Sequence, residues 1–195
     1  PVPTGTDPRR FVVFDSDHDQ VGNRATGDRP SASLSDDLLA AEAALILLSP
    51  FTPMLFMGEE WGTRRPFQFF TDHSETELTQ GRRDEFASFG WDADEVPDPQ
   101  DSSTVTASVL DWSEPLEPIH ARMLSWYQDL IALRRRLGLG ERGQWPRLQD
   151  TGDVVILTIP AGTGRADVEL VVVASLMPAG GSGGADLKAL VPDAD

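Results

Sequence analysis

At 195 residues the chain is long enough to bury a sizeable core and to make one or two domains. Its 32 acidic and 16 basic residues give a formal charge of -16 and a pI near 4.4, which repels nucleic acid and anionic membranes and leaves a neutral substrate as the easier partner. The absence of cysteine excludes a disulfide scaffold, a thiolate zinc site and a cysteine nucleophile and is compatible with a cytoplasmic setting, and no apolar run approaches the roughly 20 residues that span a bilayer.

The opening residues, PVPTGTDPRR, lack the form of a signal peptide and read as the interior of a longer protein, because a strand begins almost at once. Phe11, Val12, Val13 and Phe14 are apolar on consecutive positions, the pattern of a strand buried on both faces in a parallel sheet covered by helices. Polar residues start at Asp15. Loops that follow the carboxyl ends of such strands are where α/β folds bind ligands, so Asp15, Asp17, His18 and Asp19 are predicted to line a site. Gly22 and Asn23 supply turn chemistry, and Arg24 can hold a carboxylate or a sugar hydroxyl in its fork of donors. A plain polar loop of solvated acids is the competing reading of the same residues.

Ser35, with Asp36 and Asp37 after it, predicts a helix start. Leu34, Leu38, Ala41, Leu45 and Leu48 recur at helical spacing, and the Ala/Leu-rich remainder predicts nearly complete burial; Ser49 and Pro50 stop the helix. A second buried strand is predicted over residues 53–57, PMLFM, followed by Gly58, Glu59, Glu60 and Trp61. Strand, helix, strand is a parallel βαβ unit. Residues 62–112 carry no sustained period, as a functional loop or an insertion with its own short helices does. Ser113 as N-cap and Pro115 in the first turn predict a helix whose stripe is Leu116, Ile119, Met123, Trp126, Leu130, Leu133 and Leu137, with Arg134, Arg135 and Arg136 on its negative end and Gly138 as the cap. Trp112 and Trp126 are assigned to the core and His120 to the surface. Residues 154–159 and 168–176 predict a β-hairpin or meander. The boundary falls after residue 138: residues 1–138 form an α/β part with the insertion 62–112, and residues 139–195 a small β-rich part.

Six blocks in order, HDQVGNRATGDR, SPFTPMLFMGEEW, PFQFFTDH, GRRDEF, PDPQD and LDW, resemble the malto-oligosyltrehalose trehalohydrolase family of the α-amylase superfamily, and FVVFDSDHDQVGN resembles that superfamily's motif at the end of a late barrel strand. The resemblance implies a fold: the C-terminal part of a TIM (β/α)8 barrel followed by a small antiparallel β domain. It implies a reaction: hydrolysis of the α-1,4 bond next to the terminal trehalose unit of malto-oligosyltrehalose, with no metal and no cofactor. It implies that Asp19 stabilises an oxocarbenium-like transition state, with His18 donating to the same ring, while the nucleophile and general acid lie on strands upstream of this chain. A barrel takes typically about 250 residues, so the chain reads as a C-terminal fragment, inactive by itself. Substrate contacts are expected from His18, Gln20, Asn23, Arg24, Glu59, Trp61, Phe70 and His73, with Phe67 and Phe69 also able to stack on glucose rings. Arg82, Arg83 and Glu85 read as a loop-organising set of ion pairs. Asp17 stands where the family usually has Asn and adds a charge that could raise the pKa of its neighbours; Val105 and Val109 replace an aromatic and a basic residue.

Two other functions stay open on the residues. FVVFDSD also resembles the opening of haloacid dehalogenase-like phosphatases, in which Asp15 would be the nucleophile and Asp15 and Asp17 would hold Mg²⁺; Asp19 stands where that motif has Thr or Val, and the one lysine is Lys188. A non-catalytic carbohydrate-binding module is the third.

Overall fold

A computed structural model describes residues 2–72, 74, 96–141, 143–161 and 169–176. These divide into two compact units, one drawn from Pro1–Asp15, Ser35–Met54 and Ser125–Asp195, the other from Ser16–Leu34 and Leu55–Leu124.

In the first unit, strands β1 (Val12–Val13) and β2 (Thr52–Pro53) pair in parallel, Val12 opposite Thr52 and Val13 opposite Pro53. The crossover between them is helix α2 (Asp36–Leu47), so the expected βαβ unit is present. Both strands are shorter and more open than their apolar runs predicted. Val12 is 55% exposed, and Met54, Leu55 and Met57 lie beyond the end of β2 and are exposed. A run of apolar residues is compatible with a doubly buried strand but cannot say how many neighbours the strand has. Among the described residues each of these two strands has one.

Helix α2 starts as expected: Ser35 Oγ accepts the Leu38 N–H, and Asp36 and Asp37 occupy the first turn. Its buried face is Ala43, Ala44, Leu47 and Leu48, rotated from the predicted stripe. At its C-terminal end the carbonyls lack intrahelical donors, and the Arg134 guanidinium supplies them: it donates to the carbonyl oxygens of Leu47 at 2.8 Å, of Ser49, and of Phe51 at 2.6 Å. Trp145 wedges edge-on between Phe11 and Phe51, with ring centroids at 5.4 and 5.7 Å, and donates Nε1–H to the Thr6 carbonyl.

Strands β3 (Arg147–Asp150), β4 (Val154–Ile159) and β5 (Leu170–Ser175) form an antiparallel sheet in that order. Val154, Ile156, Leu157 and Ile159 of β4 are buried, and β5 lies against α2. Strand β3 escaped prediction because all four of its residues are exposed, so it carries no alternation to read.

The second unit is held by short elements: α1 (His18–Gly22), α3 (Ser102–Ala107) and single 3-10 turns at Pro30–Ala32, Glu59–Trp61 and Glu114–Leu116. Helix α3 lies within the stretch expected to hold short helices. The long helix α4 spans Pro118–Arg136, with Pro118 rather than Pro115 in its first turn. Its buried stripe is His120, Met123, Tyr127 and Leu130, not the purely apolar one predicted. Trp112, Leu116, Ile119 and Trp126 are exposed and His120 is buried, which corrects the assignment of all five. The polar groups of His120 and Tyr127 hid the true face, whereas the indole of Trp126 can stay in water while its N–H donates to the Ala40 carbonyl at 3.0 Å.

Arg134→Ala leaves three carbonyls without a charged donor and should lower unfolding stability by about 3 kcal/mol. Arg134→Lys, which keeps the charge but not the planar fork, should recover only a minor share, as measured by denaturant titration.

Candidate active site

The stretch expected to carry chemistry lies in the second unit and becomes helical because Asp17 caps it. The Asp17 carboxylate accepts the N–H groups of Asp19 and Gln20, each at 2.9 Å, and Gln20 Oε1 accepts the Asp17 N–H at 3.2 Å, closing a capping box. Asn caps helices as well as Asp does, so the departure at position 17 serves the same local purpose. His18 and Asp19 then project from the first turn with side chains 70% and 74% exposed, His18 Nε2 lying 3.5 Å from Asp19 Oδ1. Asn23 ends the helix, its N–H returning to the Asp19 carbonyl. Arg24 is paired with Asp28 at 2.7 Å; hydrogen bonding from Arg24 holds the Asp28 carboxyl below its ordinary pKa.

Behind α1 the chain is pinned to residues 56–70. Gly27 adopts φ +65°, and a Cβ there would stand 2.5 Å from the Phe67 carbonyl oxygen. Only glycine permits this approach, in which the Phe67 N–H donates to the Gly27 carbonyl at 2.8 Å. The rings of Phe56, Phe67 and Phe70 follow one another edge to face, at 5.2 and 5.8 Å, and Phe70 is 41% exposed. His73 and the Arg82, Arg83 and Glu85 set lie outside the described residues.

Glu59 and Glu60 fold back onto their own loop: Glu59 Oε2 accepts the Phe56 N–H and Glu60 Oε2 the Gly58 N–H, both at 2.9 Å. Trp61 is 3% exposed, so the expectation of an open stacking ring at this position is corrected; of the rings expected to stack, Phe70 is exposed. The indole of Trp61 packs on Trp112 at 5.4 Å and donates to Glu114 Oε2 at 3.1 Å.

Glu114 and Arg29 are the residues sequence reasoning passed over. The Glu114 carboxylate also accepts from the Thr63 hydroxyl and the Arg64 N–H. Arg29, 5% exposed, donates to the carbonyls of Arg65 at 2.6 Å and Met57 at 2.8 Å and lies 4.9 Å over the Phe56 ring. Ser31 donates to the Thr63 carbonyl, and His120 Nδ1 lies 2.7 Å from the Trp61 carbonyl, which requires the proton on Nδ1. Neither residue carries a local signal: the partners of Arg29 lie about 30 positions away and those of Glu114 about 50.

Asp17 caps α1 and Asp19 faces solvent; Asp15 belongs to the first unit, where burial raises its pKa. Among the described residues no group of three or more His, Asp or Glu side chains could hold a metal ion. Chemically, the unit offers a solvent-facing carboxylate beside an imidazole and the exposed aromatic rings of Phe70 and Trp112.

No family model matches the chain. It is 62% identical over 133 residues to a malto-oligosyltrehalose trehalohydrolase of Arthrobacter ramosus, covering 66% of this chain and 23% of that protein. It is 53% identical over 149 residues to the one of Brevibacterium helvolum, covering 71% and 25%, and 39% identical over 130 residues to that of Saccharolobus solfataricus, covering 67% and 22%. The chain thus spans 22% to 25% of the length of these relatives. Among solved structures it matches a candidate alpha amylase from Salmonella typhimurium with a TM-score of 0.77 and 32% identity, over 89% of this chain and 30% of that one.

Glu114→Ala strands the buried indole N–H of Trp61 and the Thr63 hydroxyl, and should destabilise by about 3 kcal/mol. Burial acts to raise the Glu114 pKa, but hydrogen bonds from Thr63, Trp61 and the Arg64 N–H outweigh it and hold the group below its ordinary 4.5. A lowered folded pKa gives stability that is present above 4.5 and lost as pH falls through the folded value. The acid limb of a urea stability profile should therefore be shallower in Glu114→Gln than in the unaltered protein.

Proposed function

We infer, from the kinship of this chain with the malto-oligosyltrehalose trehalohydrolases, that it is the C-terminal portion of a retaining glycoside hydrolase that cleaves the α-1,4 bond next to a terminal trehalose unit and releases trehalose. The observation that carries the reading is the 62% identity over 133 residues; the exposed His18–Asp19 pair on its capped turn is compatible with it. In this reading residues 1–138 complete a (β/α)8 barrel, with 62–112 as an insertion, and residues 139–195 belong to a small β domain. The substrate is a neutral maltodextrin ending in trehalose, met in the cytoplasm.

The roles follow from the chemistry. A retaining glycosidase works with a general acid and a nucleophile on either side of the scissile bond, and both would come from upstream strands. Asp19 is the third carboxylate: as the bond breaks, positive charge builds on the sugar ring, and a fixed negative charge beside it lowers that barrier more than it tightens the neutral ground state. His18 donates to the same ring, Phe70 and His73 offer apolar faces to sugars, and Asn23 and Arg24 lie on the rim. Gln20 and Glu59, whose side chains accept from Asp17 and Phe56 N–H groups, act on substrate through their other atoms, and Trp61 acts by supporting the loop. A carboxylate as exposed as Asp19 is screened by water, where two charges 4 Å apart interact by only about 1 kcal/mol. Its catalytic effect therefore depends on walls that would have to come from outside the described residues. None of these steps calls for a metal, and a chelator should leave the complete enzyme's activity unchanged.

In the complete polypeptide Asp19→Asn keeps the shape, removes the charge and should lower kcat by on the order of 10² to 10³, with KM far less affected. Asp15→Asn should cost far less, and the reverse ranking would sink the assignment. The 195-residue chain purified alone should release no trehalose from malto-oligosyltrehalose above a heat-killed control.

A further inference from the structure

Trp61, Trp126 and Trp145 each donate the indole N–H to an acceptor. Trp112 has no such acceptor among the described residues, and at 72% exposure it is more open than any of them. The ring is nevertheless fixed from behind. It leans at 45° on Trp61, with centroids 5.4 Å apart, and Trp61 is itself buried and tied to Glu114 Oε2. The residue before it, Asp111, belongs to a charged pair. Asp111 Oδ1 accepts from the Ser113 N–H at 2.9 Å and the Ser113 hydroxyl at 2.6 Å, and Oδ2 accepts from Arg65 Nη2 at 3.2 Å. Arg65 and Asp111 both reach solvent, their side chains 47% and 34% exposed. Hydrogen bonds from Ser113 and then Arg65 hold the Asp111 carboxyl down at about 2, so near neutral pH it is an acceptor only.

An aromatic face beside an ion pair is ill suited to dry packing. A protein segment laid over Trp112 would also take Asp111 and Arg65 out of water, a loss that a buried ion pair seldom recovers. A pyranose meets both requirements: its C–H face is apolar and matches an indole, and its rim hydroxyls donate to a carboxylate and accept from a guanidinium or an indole N–H. The formal charge of -16 turns away phosphorylated or acidic sugars. We propose that Trp112, Arg65 and Asp111 form a binding platform for a neutral α-1,4-glucan chain, one glucose lying on the indole with its hydroxyls on the ion pair. That the sugar is a glucan rests on the glycosidase reading; that it is a neutral sugar rests on the three side chains. Trp61 and Glu114 hold the ring in place before the ligand arrives, so binding has little left to order. The platform holds the chain and takes no part in breaking the bond.

The test is calorimetric titration of the complete natural polypeptide with β-cyclodextrin, an α-1,4-glucan ring without a trehalose end. The unaltered protein is compared with Trp112→Ala, Trp112→Phe and Arg65→Met. Trp112→Ala should weaken Kd by on the order of tenfold, and Trp112→Phe, which keeps an aromatic face, should restore most of the affinity. Arg65→Met separates binding from folding: an exposed ion pair adds little to stability, so the denaturant midpoint should stay while Kd weakens severalfold. No binding of β-cyclodextrin by the unaltered protein would overturn the platform, as would a Kd unchanged in both Trp112→Ala and Arg65→Met. So would a Trp112→Ala protein of lowered denaturant midpoint beside an Arg65→Met protein of unchanged Kd, the pattern of a ring covered by another part of the polypeptide. Trehalose release from malto-oligosyltrehalose is assayed on the same samples. Release with unresponsive Kd values condemns the platform alone, and responsive Kd values without release condemn the glycosidase reading alone.

Discussion

A peptide carbonyl removed from water must find a donor, and irregular backbone has no ladder to provide one. Both units meet this constraint with an arginine. In the first, Arg134 reaches the carbonyls of Leu47, Ser49 and Phe51 as the chain leaves α2; in the second, Arg29 reaches those of Met57 and Arg65. Burial depresses the pKa of each guanidinium, with Glu59, Glu114 and Glu60 opposing that effect at Arg29. The charge persists because arginine does not lose its proton in proteins. A single fork spans several acceptors, which is how segments with neither helical nor strand geometry can be enclosed.

The second unit extends the same solution with acids. Glu114 collects an indole N–H, a hydroxyl and a backbone N–H from residues 61–64, and Glu59 and Glu60 close the turn before them. The turn's conformation depends on Gly58, at φ +88°, where a Cβ would stand 2.6 Å from Thr63 Cγ2. The acidic excess of the chain therefore divides into groups with different physics. Asp7, Asp17 and Asp101 accept the N–H groups that begin helical turns, Glu114 is a latch, Asp15 and Glu42 are half-buried, and Asp19 is left to solvent. The solvent-facing Asp19 is the one to which the catalytic role is assigned.

The aromatics divide in a similar way. Trp61 and Trp145 each place the indole N–H on an acceptor and pack against other rings. Phe70 ends a train of edge-to-face contacts with a face still open, beside the segment pinned by Gly27. An aromatic held by its neighbours on one side offers a sugar a surface without ordering a free side chain at the moment of binding.

Local chemistry is what the sequence by itself determined. The cap at Ser35, the acidic first turn of α2, the crossover between two short strands, the β-meander after the long helix and the motif blocks that identify the relatives are all written in neighbouring residues, because capping, periodicity and motif spacing act over a few positions. The tertiary structure decided what depends on partners distant in the chain. Trp61 is buried because Glu114, 53 positions away, accepts its N–H, and His120 turns inward to the Trp61 carbonyl. The stripe of α4 runs through Tyr127 rather than Trp126, and Asp15 is half-buried where Asp19 is exposed. Aspartates two residues apart have the same composition, spacing and intrinsic acidity; only the fold, by giving one a helix terminus, one partial burial and one open water, makes them different groups.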